Sequence, residues 1–148
     1  MSMRRYGIIL ALFFAAAVAQ AAKEQTVAEL KARVESAREE ERPGICVAIA
    51  TRQLEAATKL YAAGNSQEAR AAIDDVASFS ERARDAAANS GKKLKPTEIA
   101  VRKMAHKLRD IKRTLSFDDQ APVQNAIDRL EHVRTDLLTK MFGIKGDK

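Results

Sequence analysis

The two histidines are the side chains whose spacing comes closest to metal chemistry. His106 precedes Asp110 by four residues, and Asp128 precedes His132 by the same interval. Residues four apart share one helix face, so each pair could offer a nitrogen and an oxygen ligand to a metal held between two helices. Neither histidine belongs to a Glu-x-x-His or His-x-x-x-His pattern, and both stand among charges. We interpret them as solvated surface residues, with a metal-binding or enzymatic site near His106 and His132 as the alternative.

No other motif of the chain points to catalysis. Its six glycines are scattered and form no phosphate-binding loop, and it has neither a Gly-x-Ser-x-Gly elbow nor a Cys-x-x-Cys-His haem motif. The one cysteine, Cys46, cannot form an internal disulfide. We interpret it as a small apolar residue near a helix start, with an intermolecular disulfide in a homo-oligomer as the alternative. We therefore expect a non-enzymatic protein with no catalytic residues, metal or cofactor.

Charge is unevenly distributed along the chain. Residues 92–113 hold nine basic residues against only Glu98 and Asp110, a segment charge of +7 in a chain whose formal net charge is +6. Because Arg4 and Arg5 are the only charges in residues 1–22, residues 23–148 carry +4, and the part of them outside the basic segment sums to −3. The nine basic residues are Lys92, Lys93, Lys95, Arg102, Lys103, Lys107, Arg109, Lys112 and Arg113.

Two interpretations of this basic segment stay open. Because basic helix faces are common, we favour the interpretation that acidic neighbours neutralise this helix. The main such neighbour would be the third helical segment, which has an excess of acids. The alternative is a surface that binds an anionic envelope component or an acidic protein, and it supplies the function that we carry forward, with the nine basic residues as the predicted site. We expect no nucleic-acid partner, because export separates the protein from nucleic acid and no aromatic residue is interleaved for base stacking.

The first residues have the features of a secretory signal. Arg4 and Arg5 precede the uncharged run Tyr6–Val18, and small residues at Ala19 and Ala21 follow it. This pattern predicts a signal-peptide helix over residues 1–21 and an exported protein, either periplasmic or secreted. The alternative is an uncleaved anchor, the one route to membrane contact that we predict. The seventeen residues 6–22 are at the short edge of the roughly 20 that a spanning helix needs.

Apolar residues recur at helical spacing in five segments of the remaining chain. The first begins at the capping box Thr26–Glu29 and stops at Arg42–Gly44, where Pro43 either ends that helix or begins the next. The second ends at Gly64 and the third starts at once with a capping residue, so these two must form an antiparallel hairpin. The apolar positions are Val27, Leu30, Val34 and Ala37; Val47, Ala50, Leu54, Ala57 and Tyr61; Ala69, Ala72, Ile73, Val76, Phe79 and Ala83; Val101, Met104, Leu108, Ile111 and Leu115; and Val123, Ala126, Ile127, Leu130, Val133, Leu137, Leu138 and Met141.

These stripes predict an all-α fold. Residues 89–95 form the clearest linker, closed by Pro96, and residues 116–119 form the turn before the last helix. A 3-4 repeat in every segment is typical of helices that share one core, so residues 22–143 are predicted to form a single up-and-down bundle of four to five antiparallel helices. Residues 144–148 are predicted to be a frayed tail.

The second and third segments resemble the centre of one tetratricopeptide repeat, in which small residues and a turn glycine let two antiparallel helices approach. The positions that carry the resemblance are Ala57, Leu60, Gly64, Ala69, Ile73 and Val76. No second copy follows at a period of about 34 residues, and arrays of this kind need roughly three repeats. The resemblance implies a binding role and assigns no functional residue.

The signal-peptide prediction is tested by the N-terminus of the exported protein. Cleavage after Ala21 leaves Ala22 as the first residue, and N-terminal sequencing of protein recovered from outside the cytoplasm is expected to find it. A recovered chain that retains residues 1–21 would instead identify the segment as a membrane anchor.

Overall fold

The computed structural model describes residues 25–143, which form five α-helices and contain no strand. This confirms the all-α class. The helices are α1 (Val27–Ser36), α2 (Arg42–Ala62), α3 (Ser66–Ser90), α4 (Leu94–Thr114) and α5 (Phe117–Phe142). The predicted signal peptide, residues 1–21, and the predicted frayed tail, residues 144–148, lie outside the described residues.

The bundle has five helices because Pro43 begins a helix rather than ending one. At the start of α1, the Thr26 hydroxyl oxygen accepts a hydrogen bond from the Glu29 amide at 3.2 Å, which is half of the predicted capping box. Helix α1 then ends at Ser36, and α2 begins at Arg42 with Pro43 in its first turn. Proline suits that position because its fixed φ is already helical and a first-turn amide has no helical partner to lose.

The predicted hairpin of α2 and α3 is confirmed, with one detail wrong. Gly64 has a φ of +81°, a left-handed conformation that costs glycine little, and it turns the chain between the two helices. Asn65 stands at the N-cap of α3 as predicted, but its side chain makes no capping hydrogen bond.

The linker between α3 and α4 is shorter than the predicted span of residues 89–95. Only residues 91–93 lie between the two helices, and both Gly91 and Lys93 take left-handed φ values, of 67° and 64°. Pro96 does not close the linker, because it falls in the first turn of α4, where its missing amide hydrogen has no helical acceptor to lose. Two left-handed residues turn the chain within three positions, so the helices extend further than composition suggested.

The four long helices are neighbours in the spatial order α2, α3, α5, α4, with α3 diagonal to α4. Successive helices alternate in direction, as predicted, but α3 and α5 run parallel, so not all spatial neighbours are antiparallel. The ion pairs that join α3 to α5 advance together along both helices: Arg70–Asp119, Arg129–Glu81 and Arg84–Asp136. The chain therefore crosses the bundle diagonally from α3 to α4 and places α2 and α4 side by side.

The predicted apolar stripes form one core to which every helix contributes. The six predicted positions of α3 are all buried, whereas Leu138 and Met141 near the end of α5 are only half-buried. Packing of these stripes against one another stabilises the fold.

None of the five described helices is long and apolar enough to cross a membrane.

Helix α1 packs against α2 and forms two ion pairs with α3. Leu30 and Val34 of α1 are buried in the core. Beside them, the Lys31 ammonium contacts the Asp75 carboxylate of α3 at 2.8 Å, and an ion pair of the same length joins Arg82 of α3 to a glutamate of α1. One acidic side chain of α3 is therefore neutralised by α1.

Arg129 of α5 makes the densest set of polar contacts to α3. It donates to both carboxylate oxygens of Glu81 at 2.8 Å, to Asp74 at 2.9 Å and to the Ser78 hydroxyl oxygen at 3.2 Å. Two parallel bonds from a guanidinium to a carboxylate are stronger than a single bond. The hydrogen bond from Arg129 lowers the pKa of Glu81 below its ordinary value of 4.5.

Replacing Arg129 with methionine is expected to lower the stability and flatten its acid dependence. A carboxyl whose pKa is depressed by folding stabilises the fold above its unfolded pKa, near 4.5 for Glu81, and that contribution is lost as the pH falls through the lower folded value. We expect Arg129→Met to reduce the free energy of unfolding by about 1–2 kcal/mol at neutral pH and by less in acid. Urea unfolding at about pH 7 and about pH 3.5 measures both effects.

The matched control is Arg33→Met, because Arg33 is exposed and forms no ion pair within residues 25–143. It is expected to change the free energy of unfolding by less than about 0.5 kcal/mol. Equal pH dependence in wild type and Arg129→Met would contradict the assignment of this acid sensitivity to the Arg129 contacts.

Candidate functional site

The face of α4 that meets the bundle is set by its apolar stripe. Val101, Met104, Leu108 and Ile111 are buried, at intervals of three and four residues. The helical period of 3.6 residues therefore turns most of the intervening positions toward solvent. Those positions are where most of the nine predicted basic residues stand, so the sequence pattern itself places much of the positive charge outside.

A buried ion pair fixes the same orientation from the α5 side. Glu98 is 5% exposed and is the one buried charged residue between residues 25 and 143. Its Oε1 accepts a hydrogen bond from Nε of Arg134 at 3.1 Å, and Arg134 also contacts Glu131 at 3.0 Å. A buried carboxylate must keep a partner, so α4 cannot rotate away from α5 without stranding a charge.

Six of the nine predicted site residues are exposed and form no ion pair with any described residue. They are Lys92, Lys93, Lys95, Arg102, Lys103 and Lys107. We call them the exposed cations. The interpretation in which the acidic third helix neutralises α4 is not supported, because no acidic residue of α3 lies within ion-pair distance of an α4 cation in residues 25–143. Asp75 pairs with α1, Asp74 and Glu81 pair with α5, and Asp85 pairs with Arg84 of its own helix.

The other three predicted site residues are engaged within the protein. Arg109 contacts Glu131 of α5 at 2.6 Å, and the Lys112 ammonium donates to the side-chain oxygen of Gln124 at 2.7 Å. Arg113 pairs with Asp110 of its own helix at 3.2 Å. The predicted nine-residue site is thus divided into six exposed cations and three residues with internal partners, two of which join α4 to α5.

Both histidines lie on the surface, 76% and 73% exposed at His106 and His132. The predicted proximity of His106 and Asp110 is confirmed at 3.6 Å. His132 instead lies 3.8 Å from Asp136, and Asp128 accepts a hydrogen bond from Gln124. Within residues 25–143, no three histidine, cysteine, aspartate or glutamate side chains are grouped closely enough to hold a metal ion.

Cys46 lies in the first turns of α2, as predicted, and is 1% exposed. Burial raises the pKa of its thiol, so the reactive thiolate is disfavoured. Val34 of α1 lines the same small space of about 180 Å³. An intermolecular disulfide would therefore require the residues around Cys46 to move.

A groove between α2 and α4 is the feature that sequence reasoning missed. The α2–α4 groove has a volume of about 210 Å³ and is lined by Thr51, Leu54, Glu55, Ala100, Lys103, Met104 and Lys107. Leu54 and Met104 are buried and form its apolar floor, whereas Lys103 and Lys107 are exposed along the α4 side. Nothing in the sequence signals this groove, because α2 and α4 are not consecutive and become neighbours only through the diagonal crossing.

No family model matches this chain, and no curated protein or solved structure is significantly similar to it.

The Glu98–Arg134 pair is tested by removing its members singly and together. Arg134→Met leaves the buried Glu98 carboxylate without its partner and is expected to lower the free energy of unfolding by about 2–3 kcal/mol. The double variant Glu98→Met/Arg134→Met strands no charge and is expected to recover most of that loss. Urea unfolding of the wild type, the two single variants and the double variant provides the cycle.

Additive losses in this cycle would contradict the coupling. The control is Arg102→Met on the exposed face of α4, for which a change below about 0.5 kcal/mol is expected.

Proposed function

We propose that this chain is an exported, non-enzymatic binding protein of the cell envelope that uses its basic helix to engage an anionic partner, most specifically an acidic protein. The observation that carries the proposal is the set of six exposed cations on α4 and the adjoining loop. They have no carboxylate within ion-pair distance among residues 25–143. Three further predicted residues, Arg109, Lys112 and Arg113, make contacts within α4 or to α5.

The distribution of the acids strengthens the proposal. Lys31 of α1 and Arg129 of α5 pair with acidic residues of α3 that could have screened α4. The six exposed cations are therefore left without an ion pair to any residue in 25–143. A surface of one sign raises the association rate of an oppositely charged partner, and the effect decreases as salt screens it.

An acidic protein fits this surface better than a nucleic acid does. Sequence-independent binding of single strands combines cations with aromatic side chains on which bases stack. The large exposed apolar side chains in residues 25–143 are Phe117 and Phe142, at the two ends of α5 and not among the exposed cations of the α4 face.

The test is to reverse four exposed cations of α4. The variant K95E/R102E/K103E/K107E is expected to bind fluorescent polyglutamate at least about tenfold more weakly than wild type at low salt, because attraction becomes repulsion. Fluorescence anisotropy measures the affinity, and far-UV circular dichroism verifies that the helices persist.

The matched control, R33E/R52E/K59E/K140E, changes the net charge equally but alters α1, α2 and α5. None of its four residues forms an ion pair within the described chain. It is expected to lose less than about threefold in affinity. Equal losses in the two variants would show that binding follows net charge alone and would overturn the proposal, as would no binding by wild type.

A further inference from the structure

The α2–α4 groove adds a shape to the positive charge of α4. We propose that it receives one apolar side chain of an acidic amphipathic helix, whose acids, one turn apart, contact Lys103 and Lys107. This inference rests on the proposed function and specifies the chemistry of the partner.

The size of the groove favours the side chain of a partner over a separate small molecule. Its volume of about 210 Å³ is below the roughly 300–1,000 Å³ of sites that enclose drug-sized ligands. One or two apolar side chains fill such a space. A buried apolar anchor surrounded by polar contacts is the usual way in which a groove binds an amphipathic helix.

The floor of the groove is apolar, and no ion pair between the described residues of α2 and α4 spans it. The one side-chain hydrogen bond between α2 and α4 in residues 25–143 is the weak contact from the Thr51 hydroxyl to the Met104 sulfur, at 3.8 Å. On the opposite side of the bundle, by contrast, α3 and α5 are bridged by several ion pairs. An apolar anchor placed between Leu54 and Met104 therefore displaces no ion pair.

The charges at the groove specify how the partner lies in it. Lys103 and Lys107 are four residues apart on one helix face, a spacing that two acids at positions i and i+4 of a partner helix can match. Glu55 stands on the α2 wall and repels an acid placed there. The acids of the partner must therefore lie on the α4 side, with a neutral or basic face toward α2.

A phage-displayed library of helical peptides, selected on the purified protein, tests the inference without a known partner. Enriched peptides are expected to carry an apolar residue together with two acids spaced i and i+4. Their affinity, measured by fluorescence anisotropy, is expected to fall at least about tenfold in K103E/K107E and less than about threefold in K95E/R102E. The second variant carries the same charge change on α4 but outside the groove.

A separate substitution tests the shape of the groove and leaves its charge unaltered. Ala100→Leu places a larger side chain in the groove and is expected to weaken peptide binding about tenfold, whereas Ala71→Leu, on the exposed surface of α3, leaves it unchanged. Thr51→Leu fills the groove from the α2 side and replaces Ala100→Leu if thermal unfolding shows that variant to be poorly folded.

The outcomes separate this inference from the proposed function. Equal losses in K103E/K107E and K95E/R102E, with no effect of Ala100→Leu, would retain an anion-binding α4 but overturn the groove. Insensitivity to both charge reversals would overturn both proposals. Failure to enrich any peptide, enrichment of peptides without acids, or groove-dependent binding of phosphatidylglycerol vesicles in place of peptides would each overturn the acidic helix as occupant.

Discussion

The buried contact of Glu98 with Arg134 constrains the position of the whole basic helix. Arg134 in turn contacts Glu131 of its own helix, which accepts from Arg109 of α4, so four charges of alternating sign form one connected network between α4 and α5. Glu98, the buried member, depends on Arg134 for its charged partner. Together with the apolar stripe, this network sets the rotation of α4 about its axis, and so determines which of its cations reach solvent.

The topology of the bundle then separates the charges. Because α3 lies beside α5 and under α1, its acids contact Lys31 and Arg129 instead of the cations of α4. The same diagonal crossing makes α2 and α4 parallel neighbours, with the apolar floor of the α2–α4 groove between them. Lys103 and Lys107 stand along this groove, so apolar surface and unneutralised charge adjoin each other through one feature of the chain path.

The features that sequence reasoning found depend on neighbours along the chain. The start of α1 at Thr26, the turn at Gly64 and the buried stripes follow from capping, glycine conformation and the helical period, all of which are local. The predicted linker before α4 was wrong in its extent. The composition predicts that Pro96 closes the linker, yet two left-handed residues, Gly91 and Lys93, complete the turn before it.

The sequence by itself determined the all-α class, the hairpin of α2 and α3, and the concentration of basic residues in one helix, since each depends on residue order alone. Only the tertiary structure decided that α3 lies beside α5, that six of the nine predicted cations lack an acidic partner in residues 25–143, and that a groove opens beside Lys103 and Lys107. The reason is physical: an amphipathic stripe shows that a helix is buried but not against which helix. Charge pairing depends on that choice of neighbour.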